Sequence, residues 1–185
     1  MGTRNLTMVI DQEGEVKVAQ YGQWDGYPSG VGVGIVSFLK NETLFESFKK
    51  NLSKVRFVDD KGRDKDFIDS YNKNTPQWSN EEDKRTHEQK RWFSLFCTRD
   101  IADEVLTNIA NSNDEEILLM DRRETAIGDS AWVEWSYIIN LKDETLSVHS
   151  CIDTPAIKVY KFKEIPTAPM FVKDFDESPI ENTEE

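Results

Sequence analysis

Hydrophobic and polar positions alternate near the two ends of this chain and recur at helical spacing in its middle. Residues 3–10 and 15–20 carry apolar and β-branched side chains at alternate positions around a polar turn at 12–14, which predicts an N-terminal β-hairpin. The segment after Asn41 instead spaces its apolar side chains three and four residues apart, as one face of a helix does, at Leu44, Phe45, Phe48 and Leu52. Asn41 precedes that segment and is predicted to be its N-cap.

The rest of the chain predicts more helix and then a set of strands. Apolar side chains at helical spacing predict helices over 86–96 and 100–111. Alternation returns afterwards in four segments, namely 116–120, 131–141, 145–152 and 156–162. This order predicts an α+β fold, with antiparallel sheet structure, an N-terminal β-hairpin, a helical middle and a C-terminal strand meander. We expect one globular domain over residues 1–172.

Charge narrows the choice of partners. The chain has 35 acidic and 23 basic residues, a net charge of -12, which argues against direct binding to nucleic acid or an anionic membrane and favours a basic partner protein. No apolar run approaches the roughly 20 residues that span a bilayer, and no signal peptide is recognised, so we expect a cytoplasmic protein. Residues 173–185 hold six acids and one lysine, which predicts a disordered acidic tail.

The most unusual segment is residues 21–34, called here the glycine–aromatic loop. It contains five of the nine glycines together with two tyrosines, a tryptophan and an aspartate. Glycine allows positive φ and close backbone approach, and flat aromatic rings offer contact area. We therefore predict a ligand-binding loop, and the candidate ligand-binding residues are Arg4, Tyr21, Trp24, Asp25, Tyr27, Ser29 and Gly30.

Two chemistries are open for this loop. Its backbone N–H groups and the Ser29 hydroxyl could cradle a phosphate at a helix N-terminus, although the spacing matches neither a Walker loop nor a dinucleotide fingerprint. Asp25 could act as a general acid or base, because the neighbouring Trp24 ring would exclude water and raise the pKa of the carboxyl. The structural alternatives are a plain turn for the glycines and a backbone-capping role for Asp25.

Histidine and cysteine positions add little chemistry. His87 and His149 have no companion at metal-ligand spacing, so we predict no metal site, and no motif requires a cofactor. Cys97 and Cys151 lack a paired spacing and are predicted to be reduced. His149 and Cys151 lie two residues apart on one strand face, where a thiolate pair is the chemical alternative to a structural role.

The start of the chain carries a family resemblance. The letters MGTR at 1–4, followed by VAQYGQWDGYPSG at 18–30, resemble a group of uncharacterised proteins found in bacteriophages and fungi. The resemblance covers about the first fifth of the chain and implies a shared hairpin and loop in a viral or intracellular setting. The resemblance assigns no chemistry, but no complete set of nucleophile, base and orienting residue can be assembled from the sequence, so we favour binding over catalysis. In the setting that the resemblance suggests, the expected role is a non-catalytic phage counter-defence factor, similar to anti-CRISPR proteins and acting in the host cytoplasm. Such a factor would sequester a nucleotide-like ligand or block a basic nucleic-acid-binding host protein.

A fainter likeness, in the order of elements, is to the N-terminal nucleophile hydrolases. In that family the first strand begins with a Thr, Ser or Cys nucleophile, and Gly2–Thr3 resembles the processing junction of the threonine subclass. The likeness implies an amide hydrolase with Thr3 as the nucleophile. From the residues themselves, the pocket of such a hydrolase would lie between Thr3, Arg4 and the loop, with Asp25 as general acid or base and Arg4 orienting an anionic substrate. Removal of Met1 alone would leave Gly2, which has no nucleophilic side chain. This activity is the alternative to binding.

Overall fold

The computed structural model shows an α+β protein. Its helices cover a mixed, mostly antiparallel sheet, so the predicted fold class is confirmed at that level. The helix predicted over 86–96 lies outside the part of the chain that the structure describes. The described residues are 2–59, 61–66, 68–69, 101–128, 133–151 and 154–175.

Seven strands are described within those ranges. In chain order they are β1 (Arg4–Ile10), β2 (Val16–Gly22), β3 (Val55–Phe57), β4 (Ile117–Leu119), β5 (Val133–Asn140), β6 (Thr145–His149) and β7 (Ala156–Lys161). The main sheet has the order β2-β1-β5-β6-β7, and β3 pairs with β4 in a separate parallel ribbon. β1 and β2 form the predicted hairpin, and β5, β6 and β7 follow one another as an antiparallel meander.

The predicted antiparallel pairing is confirmed for most neighbouring strands of the main sheet but is wrong for β1 and β5. β1 and β5 run parallel, with Thr7 opposite Tyr137 and Val9 opposite Ile139. More than 100 residues separate the two strands in the sequence, including the helical segments between them. A connection of that length lets β5 enter beside β1 in the same direction, whereas a short turn would force antiparallel pairing.

Helices pack on both faces of the main sheet. In chain order the described helices are α1 (Val33–Lys40), α2 (Glu42–Leu52), α3 (Glu104–Ala110), α4 (Arg123–Gly128) and α5 (Ala168–Lys173). Asn41 caps α2 as predicted, because its Oδ1 accepts a hydrogen bond of 3.2 Å from the Leu44 N–H. Residues of α1, α2, α3 and α5 form the main core with one face of the sheet, while Ala126 of α4 belongs to a small cluster on the other face.

The C-terminal helix is held by aromatic packing. Phe171 of α5 is fully buried, with its ring centroid 5.7 Å from that of Tyr160 and 5.0 Å from that of Phe175. The Tyr160 hydroxyl donates a 2.6 Å hydrogen bond to Asp174. Residues 173–175, which composition assigns to the acidic tail, therefore pack on the fold, and residues 176–185 lie outside the described residues.

Candidate functional site

The glycine–aromatic loop connects the end of β2 to the start of α1. Asp25 adopts a φ of 51°, a left-handed conformation that aspartate tolerates better than most residues. Pro28–Gly32 then forms a single π-helical turn that continues without a break into α1. Pro28 fits the first position of that turn because its ring fixes φ and it has no N–H to satisfy.

Backbone hydrogen bonds hold the loop against the sheet. The Gly26 N–H donates to the Thr3 carbonyl at 3.0 Å, and the Tyr137 hydroxyl donates to the Gly26 carbonyl at 2.8 Å. Across the loop, the Val31 N–H donates to the Asp25 carbonyl at 2.9 Å. A Cβ atom on Gly26 would lie 2.8 Å from the Thr3 carbonyl oxygen, so a side chain there would push the loop off β1. The loop is thus fixed before any ligand binds.

The loop amides that suggested a phosphate cradle are already bonded. The N–H groups of Gly30 and Gly32 both donate to the Tyr27 carbonyl, at 3.0 and 3.3 Å. With the Gly26 and Val31 bonds described above, four loop N–H groups donate within the protein. A bound phosphate would have to break these bonds, so this geometry does not favour an anion site at the loop backbone.

The outer surface of the loop presents aromatic and acidic side chains. Trp24 and Tyr27 are 51% and 49% exposed, and no other aromatic side chain in the described ranges is as accessible. Asp25 and Ser29 are exposed beside them. We call Trp24, Asp25, Tyr27 and Ser29 the loop front. Apolar rings held at the surface by a rigid loop are typical of interaction sites.

The structure separates two of the predicted ligand-binding residues from the loop front. Tyr21 is buried in the small cluster under α4, opposite Leu6 of β1. Arg4 is half-buried and alternates along β1 with Thr3, so the two side chains point to opposite faces of the strand. Gly30, which is also among the predicted residues, lies inside the π-helical turn.

Behind the loop, β1 presents polar side chains to the interior. Thr3, Asn5 and Thr7, called here the polar row, are at most 2% exposed and share one face of the strand. Within the described residues, both hydroxyls and both amide atoms of Asn5 lack a hydrogen-bond partner, and so does Oε1 of Gln23. The sequence analysis missed the row, although polar residues at alternate positions of an otherwise apolar strand are a signal that could have revealed it.

A carboxylate lies at the other end of the same interior region. Asp103 precedes α3, and its side chain packs directly against the backbone of Gly34 in α1. The pKa of Asp103 is raised to about 6, chiefly by burial; a bond from its own N–H lowers the pKa, and the nearby charge of Glu104 contributes to the rise. Burial, and then the charge of Asp103, raises the pKa of Tyr137 well above its usual range. Asp103 was not singled out from the sequence, where it looks like one more surface acid.

His149 and Cys151 each have a hydrogen-bond partner other than one another, and neither bond belongs to a thiolate pair. His149 Nε2 lies 3.0 Å from the Ser147 hydroxyl, and Nδ1 lies 2.8 Å from the Thr154 carbonyl. The Cys151 thiol donates to the Val133 carbonyl at 3.3 Å. Among the residues that the structure describes, no three His, Cys, Asp or Glu side chains are arranged to hold a metal ion.

Comparison with known proteins adds no relative. The chain matches no protein-family model, no curated protein and no solved structure. In the described part of the chain, none of the helices has both the length and the apolar character needed to cross a membrane.

Proposed function

We propose that this protein is a non-catalytic binding protein whose loop front engages a basic partner protein. The observation that carries the proposal is a pair of half-exposed rings, Trp24 and Tyr27, that flank the exposed Asp25 in the sequence of a loop held by hydrogen bonds. A lysine or arginine side chain is attracted to the face of an aromatic ring, and a carboxylate beside the ring adds a charge-assisted hydrogen bond. The loop front thus has the chemistry to receive a cationic side chain.

The rigidity of the loop supports binding. The Tyr137 hydroxyl and the Thr3 carbonyl both hold Gly26, and the turn from Pro28 runs directly into α1. A loop that is ordered in the free protein loses little conformational entropy when a partner docks. The two rings can therefore act as anchors without a folding cost.

Charge supports the choice of a basic partner. A net charge of -12 accelerates association with a cationic surface and repels phosphate groups. The four internally bonded loop amides make the other predicted ligand, a nucleotide-like small molecule, the less favoured occupant of the loop front. Together with the resemblance to phage proteins, these features lead us to propose a basic nucleic-acid-binding host protein as the target and counter-defence as the purpose.

The proposal is tested by titrating the protein with a fluorescent arginine-rich peptide, with an acidic peptide of equal length for comparison. We expect Trp24→Ala and Tyr27→Ala each to weaken binding by about tenfold or more, as removal of an anchor does. Asp25→Asn should reduce the dependence of affinity on salt concentration. Met170→Ala, which shortens an exposed apolar side chain on α5, is the matched control and should leave affinity unchanged.

Two results would contradict the proposed function. If Trp24→Ala binds the arginine-rich peptide as tightly as Met170→Ala does, the loop front is not the binding surface. If the acidic peptide binds as well as the basic one, the electrostatic part of the proposal is wrong.

One observation favours the amide hydrolase as a second candidate. The Thr3 hydroxyl is buried without a partner at the start of β1, and its carbonyl is bonded to the residue that follows Asp25. An N-terminal nucleophile would need Thr3 to become the first residue. Intact mass spectrometry of the purified protein would show loss of Met1 and Gly2, and Thr3→Val should then abolish amide turnover. A protein that retains both residues rules out this activity.

A further inference from the structure

Burial of the polar row inside the protein lowers the stability of the fold. β1 is flanked by β2 and β5, and the same strand face continues with the fully buried Val9 as ordinary core. Each buried polar group without a hydrogen-bond partner costs about 1–3 kcal/mol of stability. Such a cost persists in a fold mainly where the groups serve a purpose other than stability.

Another buried asparagine shows what a purely structural role looks like in this protein. The Asn51 Nδ2 donates to the carbonyls of Ile109 and Ser112, both at 2.9 Å, and so joins α2 to the end of α3. Asn5 is more deeply buried than Asn51, yet neither its amide nitrogen nor its amide oxygen is paired. Asn5 is thus not explained by the structural role that Asn51 fills.

The backbone around Asn5 is shaped to accommodate its side chain. A Cβ atom on Gly22 would lie 2.5 Å from Asn5 Nδ2, and one on Gly26 would lie 2.9 Å from Asn5 Cβ. Gln23, between these glycines, has a buried and unpaired Oε1, and Thr3 has an unpaired hydroxyl at the same end of β1. β1 thus brings two unpaired polar side chains, Thr3 and Asn5, beside the segment from Gly22 to Gly26.

We propose that this place is a second binding site, which takes a neutral, planar ligand group with an N–H donor and an acceptor side by side. A carboxamide has such an edge, and so does a nucleobase. The amide of Asn5 can form two parallel hydrogen bonds with that edge, as asparagine does with adenine, and the Thr3 hydroxyl can add a third. Since the polar row carries no charge, a charged group would be buried there without a counter-ion.

This site is separate from the loop front and does not depend on the function proposed for it. The polar row faces the interior of the protein, whereas Trp24 and Tyr27 face the solvent on the other side of the loop. The loop is ordered in its closed state, so entry requires transient opening of the segment between Gly22 and Gly26. That opening breaks the hydrogen bonds that join Gly26 to Thr3 and Tyr137 and moves Trp24 and Asp25 of the loop front until the segment closes again. A ligand bound there would stabilise the loop from behind.

The experiment uses four small molecules and isothermal titration calorimetry on the full chain. Nicotinamide presents a carboxamide, and nicotinic acid replaces it with a carboxylate. Adenosine presents a base edge, and purine riboside lacks the amino group that completes it. We expect saturable binding of nicotinamide or adenosine and at least tenfold weaker binding of its matched analogue. Binding of nicotinamide would identify the ligand group as a carboxamide, and binding of adenosine would identify it as a nucleobase.

Variants test whether the side chain of Asn5 is what binds the ligand. Asn5→Leu has nearly the same shape, and we expect it to abolish binding while raising the midpoint of thermal unfolding, because an unpaired amide is removed. Ser136→Ala is the matched control, since it also removes a buried, unpaired hydroxyl but lies in β5 opposite Leu6. That variant should keep full ligand affinity.

Three results would overturn the proposal: no binding of either nicotinamide or adenosine, equal binding of each matched analogue, or retained affinity in Asn5→Leu. If Asn5→Leu does not fold, the side-chain NH₂ resonance of Asn5 in the wild-type protein decides instead. That resonance must shift during titration for the proposal to stand, and an unmoved resonance contradicts it.

Discussion

Replacement of Asp103 by asparagine should stabilise the protein at neutral pH and leave its stability unchanged in acid. The Asp103 carboxyl is packed against Gly34 and has a pKa of about 6, above its ordinary value of 3.8. Below pH 3.8 both the folded and the unfolded protein hold this group protonated. As pH rises from 3.8 to about 6, the unfolded chain ionises this carboxyl while the folded protein still holds it protonated, so the free energy of unfolding falls. Above pH 6 both states are ionised and the loss stays constant.

The size of the effect follows from the two pKa values. A difference of about two pH units between the folded and unfolded states corresponds to about 3 kcal/mol as an upper limit. Because the Asp103 carboxylate keeps part of its contact with water, we expect about 1–2 kcal/mol. Asp103→Asn has the same shape and no charge, so the gain should appear between pH 4 and 6 and stay constant above that range.

Urea unfolding followed by tryptophan fluorescence at a series of pH values measures this difference directly. Glu104→Gln is the matched control, since it neutralises an exposed acid at the next position and should give a much smaller change. A difference between Asp103→Asn and wild type that is independent of pH would refute the reasoning. Destabilisation at neutral pH would show instead that the ionised carboxylate caps α3.

Three further outcomes are expected, each measured as a free energy of unfolding. Gly26→Ala should cost about 1–3 kcal/mol because its Cβ would strike β1, whereas Gly128→Ala, with no neighbouring atom within 4 Å, should cost nothing. Arg56 holds the pKa of Asp64 at about 2 through a 2.6 Å bond, below the ordinary value of 3.8. The stability that this ion pair contributes is therefore fully present above pH 3.8 and is lost as pH falls towards 2. Asp64→Asn should therefore destabilise the protein at neutral pH and match wild type near pH 2. Phe171→Ala should cost about 3–5 kcal/mol, since its fully buried ring would leave a cavity beside Tyr160.

Features set by neighbouring residues could be predicted from the sequence. Alternation in β1 and β2 revealed the hairpin, and Gly14, with a φ of 93°, allows the tight turn between them. The cap at Asn41 depends only on the three residues that follow it. Local signals of this kind involve little more than backbone geometry and the spacing of apolar side chains.

Features set by distant residues could not be predicted. The parallel partner of β1 is more than 100 residues away, and alternation is the same for parallel and antiparallel neighbours. The sequence also could not predict which aromatic residues are exposed. Tyr21 and Trp24 lie three positions apart, yet Tyr21 is buried and Trp24 is half exposed. Asp103 is distinguished from other acids only by its position against Gly34, which depends on how α1 and α3 pack.

The structure also changes which residues of the loop can bind a partner. Gly26 is glycine because β1 lies beneath it, and Gly32 is glycine because a Cβ there would lie 2.7 Å from the ring of Phe171. These glycines are required by packing against remote parts of the fold, and their N–H groups are already bonded. The exposed side chains of the loop front are not required by the backbone shape of the loop in this way, although the Trp24 ring also packs on Gly2. In this loop the glycines thus provide the shape, and under the proposed function the exposed side chains between them would contact the partner.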